Sequence, residues 1–351
     1  MSNGSHSGPA RIKIICTLGP ASMDPAVIRG LDTCGVDLLR INLSHTPVRD
    51  LEKTVDFVRR HTSLPLCLDT QGAQVRSGAV APDVVLTEGS SVELTAEAVL
   101  GTPERISLWP VSVFDVLSEG SAIGIDSYGA ALRVVEAASR GARAVVIRSG
   151  RVGSNKAVTV DPPPPLPALT AADVAAIEVG HRTGIMSYAL SFASHAEAVR
   201  RARGLIPAGA TLISKIESRL GVLNMDGVIE ASDAVLVDRG DLSREVPLES
   251  VPYFQKTILR RANRFRTPSY VATNLLESMV VSARPTLAEL NDIANTLLDG
   301  AHGLVLAAET AIGVDPVGVV ELVRRAIDMF ERQDDGPLLL LKAASQRVAA
   351  R

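Results

Sequence analysis

Two carboxylates, Glu217 and Asp241, each follow a short apolar run: LISKIES leads into the first and AVLVDRGDL into the second. Hard oxygen ligands of this kind suit Mg²⁺ or Mn²⁺, with water and substrate completing an octahedral set. Lys215, just before Glu217, supplies a cationic amine that can stabilise an enolate or a transferring phosphoryl group. The competing reading is an ordinary salt bridge among Glu217, Lys215 and Arg239. In Arg239-Gly240-Asp241 a glycine sits beside a helix start, where backbone N–H groups can hold a substrate carboxylate. Arg40 and Arg76 can fork onto phosphate oxygens, although isolated arginines are usually surface charges. Asn42, Ser44, Asp69 and Thr70 offer oxygens that either coordinate a monovalent cation or form the hydrogen bonds that shape loops, the commoner role. Ser191, Thr273 and Glu309 end three further apolar runs.

Such scattered residues act together only if the fold gathers them. Eight short apolar or β-branched runs recur, at 12–16, 36–41, 64–68, 185–192, 211–216, 234–237, 269–272 and 303–307. Segments of helical period separate most of them, such as 24–34 and 287–298. Eight strand–helix units predict an α/β fold, a (β/α)8 TIM barrel, whose chemistry lies at the carboxyl ends of the strands. Strand two then presents Arg40, Asn42, Ser44 and His45; strand three presents Asp69, Thr70 and Arg76. The gap after strand three is too long for a loop. Runs at 84–86, 91–94, 122–125, 131–135 and 142–147 predict a small, mostly β lid domain inserted there. The expected division is barrel over 1–76 and 165–351 and lid over 77–164, with the proline-rich DPPPPLPAL as a stiff return linker. Thr170 caps a helix from Ala171, and the tail after Pro337 reads as one helix-like segment. A domain carried on two crossings can swing as a lid.

The 351 residues allow about two domains or one large barrel. With 46% hydrophobic residues the bulk of the chain is not disordered. Aromatics at 3% and 36 basic against 39 acidic residues argue against a nucleic-acid partner. No apolar run is long enough to span a bilayer, and MSNGSHSGPA lacks a signal-peptide core. Cys16, Cys34 and Cys67 read as buried reduced thiols, so a cytoplasmic location is expected.

KIICTLGPAS, LLRINLSH, LDTQGAQVR, LISKIES, ASDAVLVDRGDL, RPTLAELNDIAN and AAETAIG together, in this order, resemble the motifs of the pyruvate kinase family. The resemblance runs from about Ile12 to about Asp328. It implies that Arg40 and Arg76 contact the phosphate of phosphoenolpyruvate and that Lys215 stabilises the transferring phosphoryl group and the enolate. It implies that Glu217 and Asp241 hold Mg²⁺ or Mn²⁺, and that the Gly240 and Asp241 amides with Thr273 hold the pyruvate carboxylate, Arg239 lying in the same substrate motif. Asn42, Ser44, Asp69 and Thr70 match a K⁺ site, and His45 and Lys156 match nucleotide contacts.

This sequence also departs from the pattern. The family's terminal regulatory domain has no counterpart, which would remove an effector site and one tetramer interface; a homodimer through the barrel stays open. Ile312 stands where the family has a lysine, Ala307 and Ala308 where it has serine and glycine, and Gln71 and Gln74 replace a lysine and a glutamate. Asp238 replaces an alanine, and an acidic lid motif is reduced to Asp126-Ser127-Tyr128. Groups for enolpyruvate and metal persist while several around the nucleotide are gone. The expected activity is phosphoryl transfer between phosphoenolpyruvate and a nucleoside diphosphate. The alternatives are a metal-dependent pyruvate-enolate lyase (an aldolase or oxaloacetate decarboxylase) and a catalytically silent phosphoenolpyruvate-binding protein.

Overall fold

The computed structural model describes residues 11–126 and 129–332. Eight strands, β1 (Lys13–Leu18), β2 (Leu38–Asn42), β3 (Leu66–Asp69), β4 (Ser187–Leu190), β5 (Thr211–Lys215), β6 (Ala234–Asp238), β7 (Ser269–Ala272) and β8 (Gly303–Leu306), close into a barrel in chain order. All eight pairings are parallel, β1 bonding both β2 and β8. Parallel strands covered by helices lose both faces to the interior, which is why β3, β6, β7 and β8 are buried along their whole lengths. One interior layer packs Ile15, Cys67, Ile213, Leu236, Tyr270 and Val305 with the smaller Ala189, Ala234 and Ala272. Because the strands are parallel, every carboxyl end opens on the same rim.

Helix starts follow their capping chemistry. Thr286 accepts from the Glu289 N–H, and Glu289 returns a bond to the Thr286 backbone, starting the helix Leu287–Leu298. Thr170 and Asp173 form the same box ahead of Ala171–Arg182. Asp173 does more than cap. With no exposed surface, its carboxylate accepts the Gln71 N–H at 2.6 Å and the Gly72 N–H at 3.1 Å, besides the Thr170 N–H and hydroxyl at 2.9 and 2.7 Å. It thus pins the turn that leaves β3, where Gly72 takes a left-handed φ of 70°. Asp173→Ala leaves these donors unmatched and is expected to lower stability by about 3–5 kcal/mol, with Asp173→Asn costing less. Urea unfolding at unchanged m-value measures the loss.

The chain divides into two compact units. One reaches Gly72 and resumes over Ala168–Leu242 and from Glu249; the other comprises Ala73–Pro167 with Ser243–Leu248. The second unit has its own closed barrel of seven short strands around Leu86, Leu94, Ile106, Leu108, Ile125, Leu132 and Val146. Four of this unit's strands, Val75–Ser77, Arg105–Trp109, Gly150–Arg151 and Ala157–Asp161, escape the sequence reading because three or two residues carry no alternation and the longer pair abut prolines. One of them corrects the placement of Arg76. It is not delivered by β3, which ends at Asp69, but lies on Val75–Ser77, paired with Trp109 and Ala157. Cys34 corrects the cysteine reading: Cys16 and Cys67 are buried, whereas Cys34, at the carboxyl end of the helix Pro25–Thr33, is partly exposed. Among the described residues no helix is long and apolar enough to cross a membrane. The tail after Pro337 lies outside them.

Candidate active site

Lys215 closes β5 with 5% of its surface exposed. Its ammonium is 3.2 Å from Glu217 Oε2, 3.5 Å from Asp69 Oδ1 and 3.6 Å from Asp238 Oδ2, and donates to Ser191 Oγ at 3.2 Å. Residues from the ends of β3, β4, β5 and β6 therefore converge on one amine. Burial works against the lysine's charge, but Asp69, Glu217 and Asp238 outweigh it and hold the ammonium protonated far above the ordinary range.

Glu217 is completely buried. Its Oε1 accepts the Phe192 N–H at 2.8 Å, an amide aimed by a left-handed Phe192 (φ 52°) that a bulky side chain adopts only under constraint. Its Oε2 has no hydrogen-bond partner, even though the Lys215 ammonium lies 3.2 Å away. One amine divided among three carboxylates under-compensates this one. Burial, with Asp241, Asp238 and Asp69 adding to it against Lys215, pushes the Glu217 carboxyl well above its usual range. Glu217, Asp238 and Asp241 bring one oxygen each within 4.8 Å of one another. Three carboxylates this close, two of them buried and Asp241 partly exposed, offer oxygens of the kind a hard divalent ion takes. Asp238 stands in this cluster beside the two sequence-derived ligands, but its oxygens face protein groups, Oδ1 taking the Thr273 hydroxyl and Oδ2 lying 3.6 Å from Lys215. Burial raises its carboxyl, but Lys215, Arg40 and the Thr273 hydroxyl overcome this and hold it below the usual range.

Thr273 and Asn274 follow β7 with left-handed φ of 73° and 57°. That backbone sends the Thr273 hydroxyl to Asp238 Oδ1 at 2.7 Å and its carbonyl to Arg239, whose Nε and Nη2 donate at 3.0 and 2.7 Å. Arg239 Nη1 donates to Asp292 at 2.7 Å. Arg239 is thereby tied to both the Thr273 carbonyl and Asp292.

Arg40, only 4% exposed, donates from Nε to Thr17 Oγ1 at 2.8 Å and from Nη1 to Asp69 at 2.9 Å. Its Nη2 stands outside both bonds. The oxygens expected to hold a monovalent cation also accept protein donors. Asn42 Oδ1 accepts the Ser44 N–H, Thr70 Oγ1 accepts the Ser191 N–H, the Thr70 carbonyl accepts the Ser191 hydroxyl, and Asp69 serves Arg40. Glu309 is buried on the Leu276 and Ala307 N–H groups and shapes a loop. His45 is exposed after β2.

In the second unit, Arg76 donates to the Asn155 carbonyl and to Gln74, and Lys156 pairs with Asp126 at 2.8 Å. Ser127 and Tyr128, the rest of that acidic motif, lie outside the described residues.

The family model for the pyruvate kinase barrel domain matches residues 10–320. Over 329 residues the chain is 35% identical to a protein named pyruvate kinase from Methylorubrum extorquens, covering 92% of this chain and 69% of that one. It is 34% identical over 328 residues to a pyruvate kinase of Geobacillus stearothermophilus, covering 90% of this chain and 56% of that one. A pyruvate kinase of Chlamydia trachomatis serovar D is 32% identical over 337 residues, 93% of this chain and 70% of its own.

Proposed function

The chain belongs to the pyruvate kinase family of phosphotransferases, and on that premise we propose that it transfers the phosphoryl group of phosphoenolpyruvate to a nucleoside diphosphate, releasing pyruvate. The observation that carries the proposal is the buried Lys215 ammonium held within 3.6 Å of Asp69, Glu217 and Asp238 at adjoining strand ends. Transfer of this kind rests on positioning and charge neutralisation rather than on a covalent intermediate. In this reading Lys215 offsets charge on the moving phosphoryl oxygens and on the enolate oxygen left behind. Arg40, fixed by Thr17 and Asp69, turns its Nη2 to the phosphate. The Gly240 and Asp241 amides and Thr273 orient the substrate carboxylate.

Glu217 and Asp241 would hold Mg²⁺ or Mn²⁺, a reading supported by the unpartnered Glu217 Oε2. Bound there, the ion would supply Lewis-acid neutralisation of the phosphate and enolate oxygens. Asn42, Ser44, Asp69 and Thr70 are the proposed K⁺ ligands. His45 and Lys156 are proposed nucleotide contacts.

A second reading is favoured by Ile312, 57% exposed where the motif has lysine. The barrel then works on the pyruvate enolate alone, as an aldolase or decarboxylase. A lactate-dehydrogenase-coupled assay with phosphoenolpyruvate, Mg²⁺, K⁺ and a panel of nucleoside diphosphates decides. Nucleotide-dependent pyruvate release is the expected result. Metal-dependent deuterium exchange into the pyruvate methyl group without nucleotide-dependent turnover would establish the second reading instead. Saturable phosphoenolpyruvate binding with neither activity would leave a silent binding protein.

A further inference from the structure

The donors proposed for the substrate carboxylate are already holding a carboxylate of the protein itself. Asp238 Oδ1 accepts the Thr273 hydroxyl at 2.7 Å and the Gly240 N–H at 3.2 Å. The Asp241 backbone N–H bonds the same carboxylate. Packing around it is tight: a Cβ on Gly240 would lie 2.8 Å from Thr273 Cγ2 and 3.4 Å from Asp238 Oδ1. Asp238 thus occupies the very groups that a substrate carboxylate would use.

An Asp that precedes a helix and bonds its first amides is an ordinary cap. Three features go beyond capping. The Thr273 hydroxyl comes from a different strand end and is brought there by strained backbone that Arg239 clamps. The other Asp238 oxygen lies 3.6 Å from the Lys215 ammonium, so this side chain bridges the carboxylate donors and the catalytic cation as a substrate would. Beside it, the fully buried Glu217 Oε2 has no hydrogen-bond partner, which marks the pocket as built for something further.

We propose that Asp238 is an internal surrogate for the substrate carboxylate, which must be displaced from Thr273 and Gly240 before an α-carboxylate ligand can bind, so that it sets the affinity of the site for enolpyruvate-type anions. This rests on the reading of the site given under Proposed function. When substrate enters, one carboxylate replaces another on the same donors, and Asp238 swings free with no bond made or broken. The net gain in binding is then small, because a favourable interaction is exchanged rather than created.

The test measures binding rather than turnover. Oxalate, a planar dianion shaped like the pyruvate enolate, is titrated calorimetrically with excess Mg²⁺ into the wild-type protein, Asp238→Ala and Asp238→Asn. Mn²⁺ binding is followed separately by electron paramagnetic resonance without oxalate. Asp238→Ala empties the donors and is expected to bind oxalate at least tenfold more tightly, with Mn²⁺ affinity within about fivefold of wild type. Asp238→Asn removes the charge but keeps an oxygen on Thr273 and Gly240, and is expected to gain no more than about threefold. Equal gains in both variants would assign the effect to charge alone and overturn the proposal, as would unchanged oxalate affinity in a folded Asp238→Ala that binds Mn²⁺ normally. A collapse of Mn²⁺ binding in both variants would make Asp238 an ion ligand, again overturning it. Absence of oxalate binding in all three proteins, with Mn²⁺ still bound, would instead remove the reading of the site on which the proposal rests.

Discussion

Lys215→Met is expected to reduce phosphoenolpyruvate-dependent phosphoryl transfer by about 10³-fold or more, the largest effect of any single substitution in this chain. The Nζ atom lies within 3.6 Å of Asp69, Glu217 and Asp238 together, whereas Arg40 pairs with Asp69 from the other side. The variant also loses stability. Breaking a buried ion pair by removing one partner typically costs about 3–5 kcal/mol, because the carboxylates left behind are uncompensated. The sign with pH separates this loss from the catalytic one. A lysine whose pKa is raised on folding contributes fully below its ordinary value of 10.5 and loses that contribution only at higher pH. At pH 7 the contribution is therefore intact in the wild type and missing in the variant. As the pH falls and the orphaned carboxylates take up protons, the variant's deficit should shrink. Melting curves from pH 5 to 8 measure this, and activity is then compared at a pH where both proteins are folded. A folded Lys215→Met that retains transfer within tenfold of wild type would remove the amine from the chemistry.

How much of this was legible beforehand depended on how local each signal was. The eight barrel strands could be read because buried parallel strands are continuous apolar runs, such as Ala234–Asp238 and Gly303–Leu306. The helix Leu287–Leu298 could be read because its apolar residues repeat at helical period between the proline of Arg284-Pro285-Thr286 and Gly300. The acidic and basic residues at the strand ends were legible by type and spacing, since Lys215 and Glu217 neighbour each other in the chain. What stayed hidden needed contacts across the barrel. Asp238 read as an intrusive charge because its partner Thr273 arrives from another strand. The hold of Asp173 on the turn after β3 was hidden because Gln71 and Gly72 are far away in sequence. The bonds of Arg239 to the Thr273 carbonyl and to Asp292 are equally distant in the chain and left no mark in the sequence.

Glu217→Gln is expected to weaken Mn²⁺ binding by at least roughly 100-fold while leaving the metal-free protein as stable as wild type or more so. Loss of a ligand should match or exceed the 10–100-fold that loss of an outer-shell partner costs. The carbonyl of the amide can still accept the Phe192 N–H at the Oε1 position, so the backbone turn at Phe192 keeps its support. The gain comes from ionisation. Burial raises the Glu217 carboxyl well above 4.5, so the folded protein holds its proton at pH values where the unfolded chain has released it. Stability therefore falls as pH rises from the ordinary carboxylate range towards the raised value. A divalent ion reverses that trend, because it takes the carboxylate form and displaces the proton. In the wild type, Mn²⁺ should raise the melting temperature more at the higher of two pH values above the ordinary carboxylate range, and its affinity should climb with pH between them. In Glu217→Gln both the shift and its pH dependence should vanish, since nothing remains there to deprotonate. Differential scanning fluorimetry with and without Mn²⁺ at the two pH values reads all of this directly. Equal, pH-independent stabilisation of the two proteins would place the ion away from Glu217, and with it the neutralising charge on which the transfer chemistry depends.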